Sequence, residues 1–164
     1  MAEPIRVLLV DDEPDFQETI AFWLTAKGYQ VSKARSGQDA LAILKENHQD
    51  VVFLDVNMPV MDGIETLRRI RAINKSLPVI LVTASNLTDE NQYAGAKALG
   101  ISGLFPKGSD LTQLTEVLQV ALRRLRRADP AASVAPAPQN PPASANPSSG
   151  ILRKLFRKLF PPAR

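Results

Sequence analysis

Five polar residues stand where short apolar runs of the chain end. They are Asp11, Asp12, Asp55, Thr83 and Lys107. Three of them are acids, and crowded carboxylates raise one another's proton affinity unless a cation lies among them. Oxygen ligands without His or Cys select a hard cation, and a site with few protein ligands and room for water favours Mg²⁺ over Ca²⁺. We therefore expect a magnesium site wherever the fold brings these positions together.

The same residues suit phosphoryl transfer. Lys107 offers a point charge and Thr83 a hydroxyl to a phosphoryl oxygen, and a metal would neutralise further charge. A carboxylate can act as the nucleophile and form an aspartyl phosphate, and Asp55 is the candidate because it ends the central apolar run. Taken alone, an Asp pair after a strand often caps a turn, and a lone Lys is usually solvated. The prediction rests on the appearance of all five residues, in order, at the ends of successive apolar runs.

Residues 1–127 alternate between two patterns. Five apolar runs, typical of strands in a parallel sheet covered on both faces, lie at 5–10, 29–33, 50–54, 78–82 and 101–105. Five segments with helical spacing of apolar residues lie at 14–27, 37–47, 62–73, 88–99 and 109–127. Five successive β–α units predict an α/β fold, a doubly wound five-stranded parallel sheet. In such sheets the site lies at the carboxyl ends of the strands, at the switch in strand order.

The composition excludes several classes of protein. The chain has 164 residues, of which 45% are hydrophobic and 5% aromatic, so a mostly aliphatic core is expected. With no Cys it has neither disulfides nor thiolate metal sites, and the single His48 cannot form a histidine metal site. No basic run precedes the first apolar stretch, and no apolar run approaches the roughly 20 residues of a membrane span. We expect a cytoplasmic location.

Charge divides the chain into a body and a tail. Residues 1–127 hold 15 basic and 16 acidic residues, a net charge of −1, whereas 128–164 hold 5 and 1, a net charge of +4. Residues 128–149 are rich in Pro, Ala and Ser and cannot bury enough apolar surface to order themselves. The predicted organisation is a domain at 1–127, a disordered linker at 128–149 and a basic segment at 150–164.

The basic segment can form a short amphipathic helix. Its apolar face would hold Ile151, Leu152, Leu155, Phe156, Leu159 and Phe160, and its opposite face Arg153, Lys154, Arg157 and Lys158. At about 1.5 Å per residue the helix is too short to span a bilayer. The pattern is typical of a helix lying on an anionic membrane surface. Two alternatives stay open: docking in a groove of a partner protein, or docking on its own domain with release by phosphorylation.

This pattern argues against nucleic acid as a partner. Only 37 residues follow residue 127, most of them linker, so no DNA-binding domain fits there. The four arginines between 123 and 127 are explained as solvated cations at the C-terminus of a helix, where they complement its dipole.

Four segments resemble the receiver domain family of two-component response regulators. LLVDDEPDF is similar to the acidic pair of the family, DVVFLDVNMPVMDGIETLRRIR to its phosphoacceptor segment, PVILVTAS to its Thr-Ala pair and LFPK to the approach to its lysine. The similarity covers about residues 5–127, and the MPVMDG stretch is highly specific. The resemblance implies a flavodoxin-like, CheY-like fold.

The resemblance also implies roles for single residues. Asp55 would be the phosphoacceptor, Asp12 a direct Mg²⁺ ligand and Asp11 a ligand through water, while Asn57 would offer its backbone carbonyl to the metal. Thr83 and Lys107 would meet phosphoryl oxygens. Asn57 and Ser85 stand at positions that tune the dephosphorylation rate in the family. The donor would be the phosphohistidine of a sensor histidine kinase or a phosphotransfer protein.

Two positions depart from the family pattern. The family usually has Tyr or Phe three residues before the lysine as its inward-turning switch residue, whereas this chain has Leu104. The neighbouring Phe105 should face the opposite way in a strand. The family usually has Pro after the lysine, whereas this chain has Gly108. Either the switch is weaker or differently routed, or Leu104 simply packs and the switch works as usual.

The sequence therefore predicts a single-domain response regulator of a phosphorelay. It would catalyse only its own phosphorylation and dephosphorylation and would not be an enzyme acting on other substrates. The tail would localise or dock it, in the cytoplasm or at the inner membrane surface. The alternative is a scaffold or adaptor receiver that binds partners independently of phosphorylation and is localised by its C-terminal helix.

Overall fold

The computed structural model describes residues 3–84 and 90–128, the latter without the side chains of 90–92 and 125–128. The predicted linker and amphipathic segment lie outside the described residues, apart from the backbone of residue 128, and so does Ser85. Predictions about those residues stay predictions.

Strands and helices alternate through the described residues. The strands are β1 (Arg6–Val10), β2 (Gln30–Ala34), β3 (Val51–Asp55), β4 (Val79–Thr83) and β5 (Gly103–Pro106). The helices are α1 (Pro14–Ala26), α2 (Gly37–Glu46), α3 (Gly63–Ile73), α4 (Glu90–Ala98) and α5 (Leu111–Ala128). Each predicted element is present, with ends shifted by one or two residues.

The ends of two strands differ from prediction in a way that matters for the site. The predicted strand ranges stop at residues 54 and 82, whereas Asp55 and Thr83 are the last residues of β3 and β4. The reason is pairing with the neighbouring strand, because Asp55 lies opposite Val82 and Thr83 lies opposite Pro106. Both residues are therefore held by the sheet itself.

All strands are parallel, in the order β2-β1-β3-β4-β5. The chain first builds outward from β1 to β2 and then crosses back to β3 on the other side of β1. The order therefore reverses between β1 and β3, where the fold leaves a crevice at the strand ends. The predicted doubly wound parallel sheet is confirmed.

Two apolar layers cover the sheet. One packs α1 and α5 against alternate strand residues such as Leu9, Phe53 and Val82. The other packs α2, α3 and α4 against the intervening residues, such as Val10 and Leu54. Since every residue of β3 and β4 is buried, polar groups of these strands can reach a ligand only at the strand ends. No helix in the described part of the chain is long and apolar enough to cross a membrane.

Helix α3 begins directly against the end of β3. The Asp62 side chain caps the helix by accepting the Glu65 N–H at 2.8 Å, and the Gly63 N–H donates to the Val56 carbonyl at 2.9 Å. A Cβ atom on Gly63 would lie 2.2 Å from the Asp55 carbonyl oxygen and 2.8 Å from Val56 Cα. Backbone cannot yield as a flexible side chain can, so only glycine permits this close approach.

We expect Gly63→Ala to destabilise the fold by about 1–3 kcal/mol, the usual range for overpacking. Urea unfolding would measure the change. Gly95→Ala in α4 is the matched control, since its Cβ would meet no atom within 4 Å, and it should stabilise the protein by roughly 0.5–1 kcal/mol. Equal unfolding midpoints for Gly63→Ala and the unaltered protein would contradict the tight junction.

Candidate functional site

The ends of β1, β3 and β4 present polar side chains at one edge of the sheet. Asp11 follows β1, Asp55 ends β3 and Thr83 ends β4, and all three are buried, with 1%, 1% and 4% of their surface exposed. Lys107 follows β5, and its N–H donates to the Thr83 carbonyl at 2.7 Å. Asp12 beside them is half-buried. The convergence predicted from the strand ends is confirmed.

Three carboxylates share one space. Oxygens of Asp11, Asp12 and Asp55 all lie within 4.8 Å of one another. Backbone amides engage one oxygen on two of the three: Asp11 Oδ1 accepts the Glu13 N–H at 2.8 Å, and Asp55 Oδ1 accepts the Asn57 N–H at 3.2 Å. The sharp turns that follow β1 and β3 therefore orient these carboxylates. The Asn57 carbonyl as a metal ligand stays a prediction.

The Lys107 ammonium group lies among acids. Its Nζ is 2.9 Å from Asp11 Oδ2, 3.1 Å from Asp55 Oδ2 and 2.6 Å from Glu13 Oε1. It also lies 4.8 Å from the centre of the Phe16 ring, a favourable cation–π distance. Sequence reasoning missed Glu13, although its place directly after the acidic pair could have indicated it.

Burial and pairing oppose each other in setting the charges. Burial raises the pKa of Asp11 to about 6, although Lys107 and the Glu13 amide act to lower it. Burial also raises the pKa of Asp55, again against the effect of Lys107. Burial lowers the pKa of Lys107, but Glu13, Asp11 and Asp55 outweigh that effect and leave its pKa above the usual value. The lysine is therefore always charged, whereas the two aspartates hold their charge at a cost.

The carboxylate set fits a hard cation. Asp11 Oδ2 is buried, and its contact among the described residues is the 2.9 Å ion pair with Lys107, an ammonium group that it shares with Asp55 and Glu13. A buried oxygen of this kind is costly unless a further partner satisfies it. The ligands are all oxygens, and Asp12 is only half-buried, so water can reach the cluster. This suits Mg²⁺, which keeps several of its waters.

The two departures from the family pattern lie beside the site. Leu104 is half-buried and packs on the α2–α4 side of the sheet, while Phe105 is fully buried in the α1–α5 layer. Their predicted opposite orientation is confirmed. Gly108 is exposed, and a Cβ there would meet no atom within 4 Å. Nothing steric in the structure requires glycine at this position.

The family model of the response regulator receiver domain matches residues 7–119. The chain belongs to this family. It is similar to the sensor histidine kinase RcsC of Escherichia coli, with 38% identity over 125 residues, 76% of this chain and 13% of that protein. It is also similar to the response regulator MprA of Mycobacterium sp., with 36% identity over 121 residues, 74% of this chain and 52% of that protein. The chain thus spans about half of the length of MprA and about an eighth of that of RcsC.

Solved structures agree with this assignment. The chemotaxis protein CheY4 of Vibrio cholerae matches with a TM-score of 0.69 and 32% identity, over 73% of this chain and 100% of that one. The response regulator TrrA of Thermotoga maritima, solved in complex with Mg(2+)-BeF, matches with a TM-score of 0.63 and 30% identity, over 72% of this chain and 99% of that one. The family and the CheY-like fold predicted from sequence are confirmed.

Cation binding by this receiver should depend on pH. Protons compete with a cation for Asp11, the pKa of which is about 6, so Mg²⁺ affinity should rise with pH through that value and then level off. Without a cation, the raised pKa means that the folded state binds this proton more tightly than the unfolded state. Protonated Asp11 therefore adds to the free energy of unfolding in full below the usual carboxylate pKa, and this contribution is lost as pH rises through about 6.

Calorimetric titration with Mg²⁺ between about pH 5 and 8 would measure this dependence. The matched variants are Asp11→Asn, which should bind weakly with a flatter pH profile, and Asp39→Asn, an exposed acid on α2 that should behave as the unaltered receiver. An affinity independent of pH in the unaltered protein would refute the role given to Asp11.

Proposed function

We propose that this receiver is a phosphorylation-controlled switch that accepts a phosphoryl group on Asp55 in a Mg²⁺-dependent reaction. One observation carries the proposal: Asp55 Oδ2 is buried at a strand end, 3.1 Å from Lys107 Nζ, and shares its space with Asp11 and Asp12. The donor is the phosphohistidine of a sensor histidine kinase or a phosphotransfer protein. Similarity to proteins named a response regulator and a sensor histidine kinase supports this partner class.

The reaction follows from the chemistry of the groups. An oxygen of the Asp55 carboxylate forms a bond to phosphorus while the P–N bond of the phosphohistidine breaks. The imidazole leaves with the electron pair of that bond and takes up a proton from solvent. The carboxylate must be ionised to attack, and Lys107 favours that state against the burial that raises the pKa of Asp55.

Lys107 and Thr83 would receive the product. Lys107 Nζ already reaches the oxygen of Asp55 that faces away from the Asn57 amide, so a small displacement brings it to a phosphoryl oxygen. Thr83 ends the adjacent strand and would donate its hydroxyl to another. Bound Mg²⁺ would neutralise charge on the acids and the phosphoryl group, with Asp11, Asp12 and Asp55 holding it.

The activity would be confined to the protein itself. The described residues contain one cluster of three acids with metal-ligand spacing, and self-phosphorylation and dephosphorylation use it. We therefore propose no reaction on other substrates. A cytoplasmic location is part of the same proposal, since a kinase partner of this class transfers its phosphoryl group there.

A second candidate is a scaffold or adaptor that binds partners whether or not it is phosphorylated. The observation that favours it is at the switch position: Leu104 offers no aromatic ring to turn inward, and Phe105 is locked in the opposite layer. The complete set of polar residues at the strand ends favours the switch instead: Asp11, Asp12, Asp55, Thr83 and Lys107.

Asp55→Asn should abolish phosphorylation, because an amide cannot act as the nucleophile. The unaltered protein, incubated with acetyl phosphate and Mg²⁺, should gain the mass of one phosphoryl group, and the variant should gain none. Asp39→Asn on the surface of α2 is the matched control and should be phosphorylated normally. Phosphorylation of Asp55→Asn would refute the assignment, and a variant that kept full signalling activity in cells would favour the adaptor.

For the segment 151–160, which lies outside the described residues, we propose docking on an anionic membrane surface. The proposal rests on sequence, since apolar and basic residues segregate completely on a helical wheel. Each basic residue near an anionic surface contributes about 1 kcal/mol. A partner-protein groove and the surface of the receiver itself are the competing occupants.

Co-sedimentation with vesicles containing phosphatidylserine would test this docking. The full chain should bind, a truncation after residue 128 should not, and Leu155→Asp should bind weakly because it places a charge on the apolar face. Val134→Asp in the linker is the control and should bind normally. If binding to vesicles changes when beryllofluoride occupies the phosphoryl site, then phosphorylation controls membrane binding by the tail. No binding by the full chain would refute the membrane surface and favour a protein groove.

A further inference from the structure

Gln17 reaches from α1 under the ends of two strands. It lies on the buried face of the helix, with 4% of its surface exposed. Its Nε2 donates to the Ala34 carbonyl at 2.8 Å and makes longer contacts of 3.3 Å with the Asp11 carbonyl and 3.4 Å with the Leu9 carbonyl. One side chain thus ties α1 to the last residue of β2, to the residue before the last of β1 and to the residue that follows β1.

Two hydrogen bonds fix the backbone of Asp11, and Gln17 makes one of them. The Asp11 N–H donates to the Ala34 carbonyl at 3.1 Å, and the Asp11 carbonyl accepts from Gln17. The direction of the Cα–Cβ bond follows from the backbone conformation, so the contacts also set where the Asp11 carboxylate points. The N and Cα atoms of Asp12 lie in the peptide plane of the Asp11 carbonyl, so the same contact also positions the backbone of Asp12.

An uncharged donor is suited to this place. A cation beside Asp11 would compete with Lys107 for the carboxylates, and an apolar side chain would leave the strand-end carbonyls without this donor. The amide donates to carbonyl oxygens alone. The negative charge of the acids is then balanced only by Lys107 and by a bound metal cation. Two polar residues, Gln17 and Thr19, lie among the buried positions of α1. The Thr19 hydroxyl donates within the helix, whereas the Gln17 amide donates to a carbonyl of the sheet.

We propose that Gln17 is a positioning residue for phosphoryl acceptance, which holds the Asp11–Asp12 turn in the conformation that binds Mg²⁺. It touches no reacting atom and acts through the backbone of Asp11. The inference rests on the proposed function, because it concerns the cation that the phosphoryl reaction requires. Partners that orient metal ligands from behind typically contribute 10–100-fold to metal affinity or activity.

The test compares two substitutions on α1 in the full chain. Gln17→Met keeps the length and packing of the side chain but removes the donor. Thr19→Val is the control: Thr19 is buried, with 5% exposed, and its hydroxyl donates to the Asp15 carbonyl at 2.9 Å within the helix. Each variant loses the side-chain donor of a buried polar group, but only Gln17 contacts Asp11.

We expect Gln17→Met to weaken Mg²⁺ binding about tenfold by calorimetry, while Thr19→Val leaves it unchanged at a comparable loss of stability in urea. Phosphorylation by acetyl phosphate should need about tenfold more Mg²⁺ to reach half its maximal rate in Gln17→Met. The rate at saturating Mg²⁺ should recover, since Asp55 and Lys107 are untouched. A purely structural role would lower stability without moving the Mg²⁺ requirement.

The results for the two variants and for the unaltered protein separate the inference from the proposed function. Unchanged Mg²⁺ affinity in Gln17→Met, or an equal loss in Thr19→Val, would overturn the inference while leaving the proposed function intact. If Gln17→Met does not fold, Gln17→Asn serves instead, because it keeps the amide but is one methylene too short to hold the Asp11 carbonyl. If the unaltered protein neither binds Mg²⁺ nor gains a phosphoryl group, the proposed function fails and this inference fails with it.

Discussion

The ion pairs of Lys107 with Asp11 and Asp55 hold together the edge of the sheet where the site lies. Burying a carboxylate without a partner is expensive, and burial raises the pKa of both aspartates. One ammonium group within 3.1 Å of each offsets that cost without neutralising the cluster, because Asp12 and Glu13 add further negative charge. The site is therefore stable enough to fold and still acidic enough to attract a cation. The buried carboxylates that can bind a cation are the same groups whose burial costs free energy.

The fold supports this arrangement by bringing the charged groups together from three β–α junctions, those after β1, β3 and β5. Lys107 arrives after β5, where its N–H binds the Thr83 carbonyl, and Asp55 arrives at the end of β3, against which Gly63 allows α3 to begin. Helix α1 contributes twice, since the Phe16 ring lies beside the ammonium group and Gln17 binds the strand ends. The neighbouring α5 is joined to α1 by a hydrogen bond from Trp23 to the Thr115 hydroxyl. Core packing and site geometry are thus parts of one structure, and a change at any junction displaces a charge.

The sequence was informative where local pattern decides structure and uninformative where pairing decides it. Apolar runs and helical spacing predicted every element, and the order of polar residues at successive run ends predicted Asp11, Asp55, Thr83 and Lys107 as neighbours. The strand ends were placed one residue early at Asp55 and Thr83 because residues of the adjacent strands, not the runs themselves, extend the pairing. Glu13 was missed because its partner Lys107 lies 94 residues away. The role of Gln17 does not follow from helical spacing, because the carbonyls that it satisfies belong to other elements of the fold.

Leu104 stands where the family usually has an aromatic residue, and in the proposed function it would separate the chemistry of this receiver from its read-out. Phosphorylation of Asp55 would draw Lys107 away from two carboxylates toward a more strongly charged phosphoryl group. Lys107 is connected through its backbone to Thr83, and Thr83 pairs with Pro106 at the end of β5, so a displacement of the lysine acts directly on the β4–β5 edge. In this chain the side chain available there to respond is the aliphatic Leu104, already half-buried against the α2–α4 layer. A change of surface on phosphorylation would then come from a shift of packed aliphatic groups and of the strand end, because Phe105, the neighbouring aromatic residue, is buried in the opposite layer.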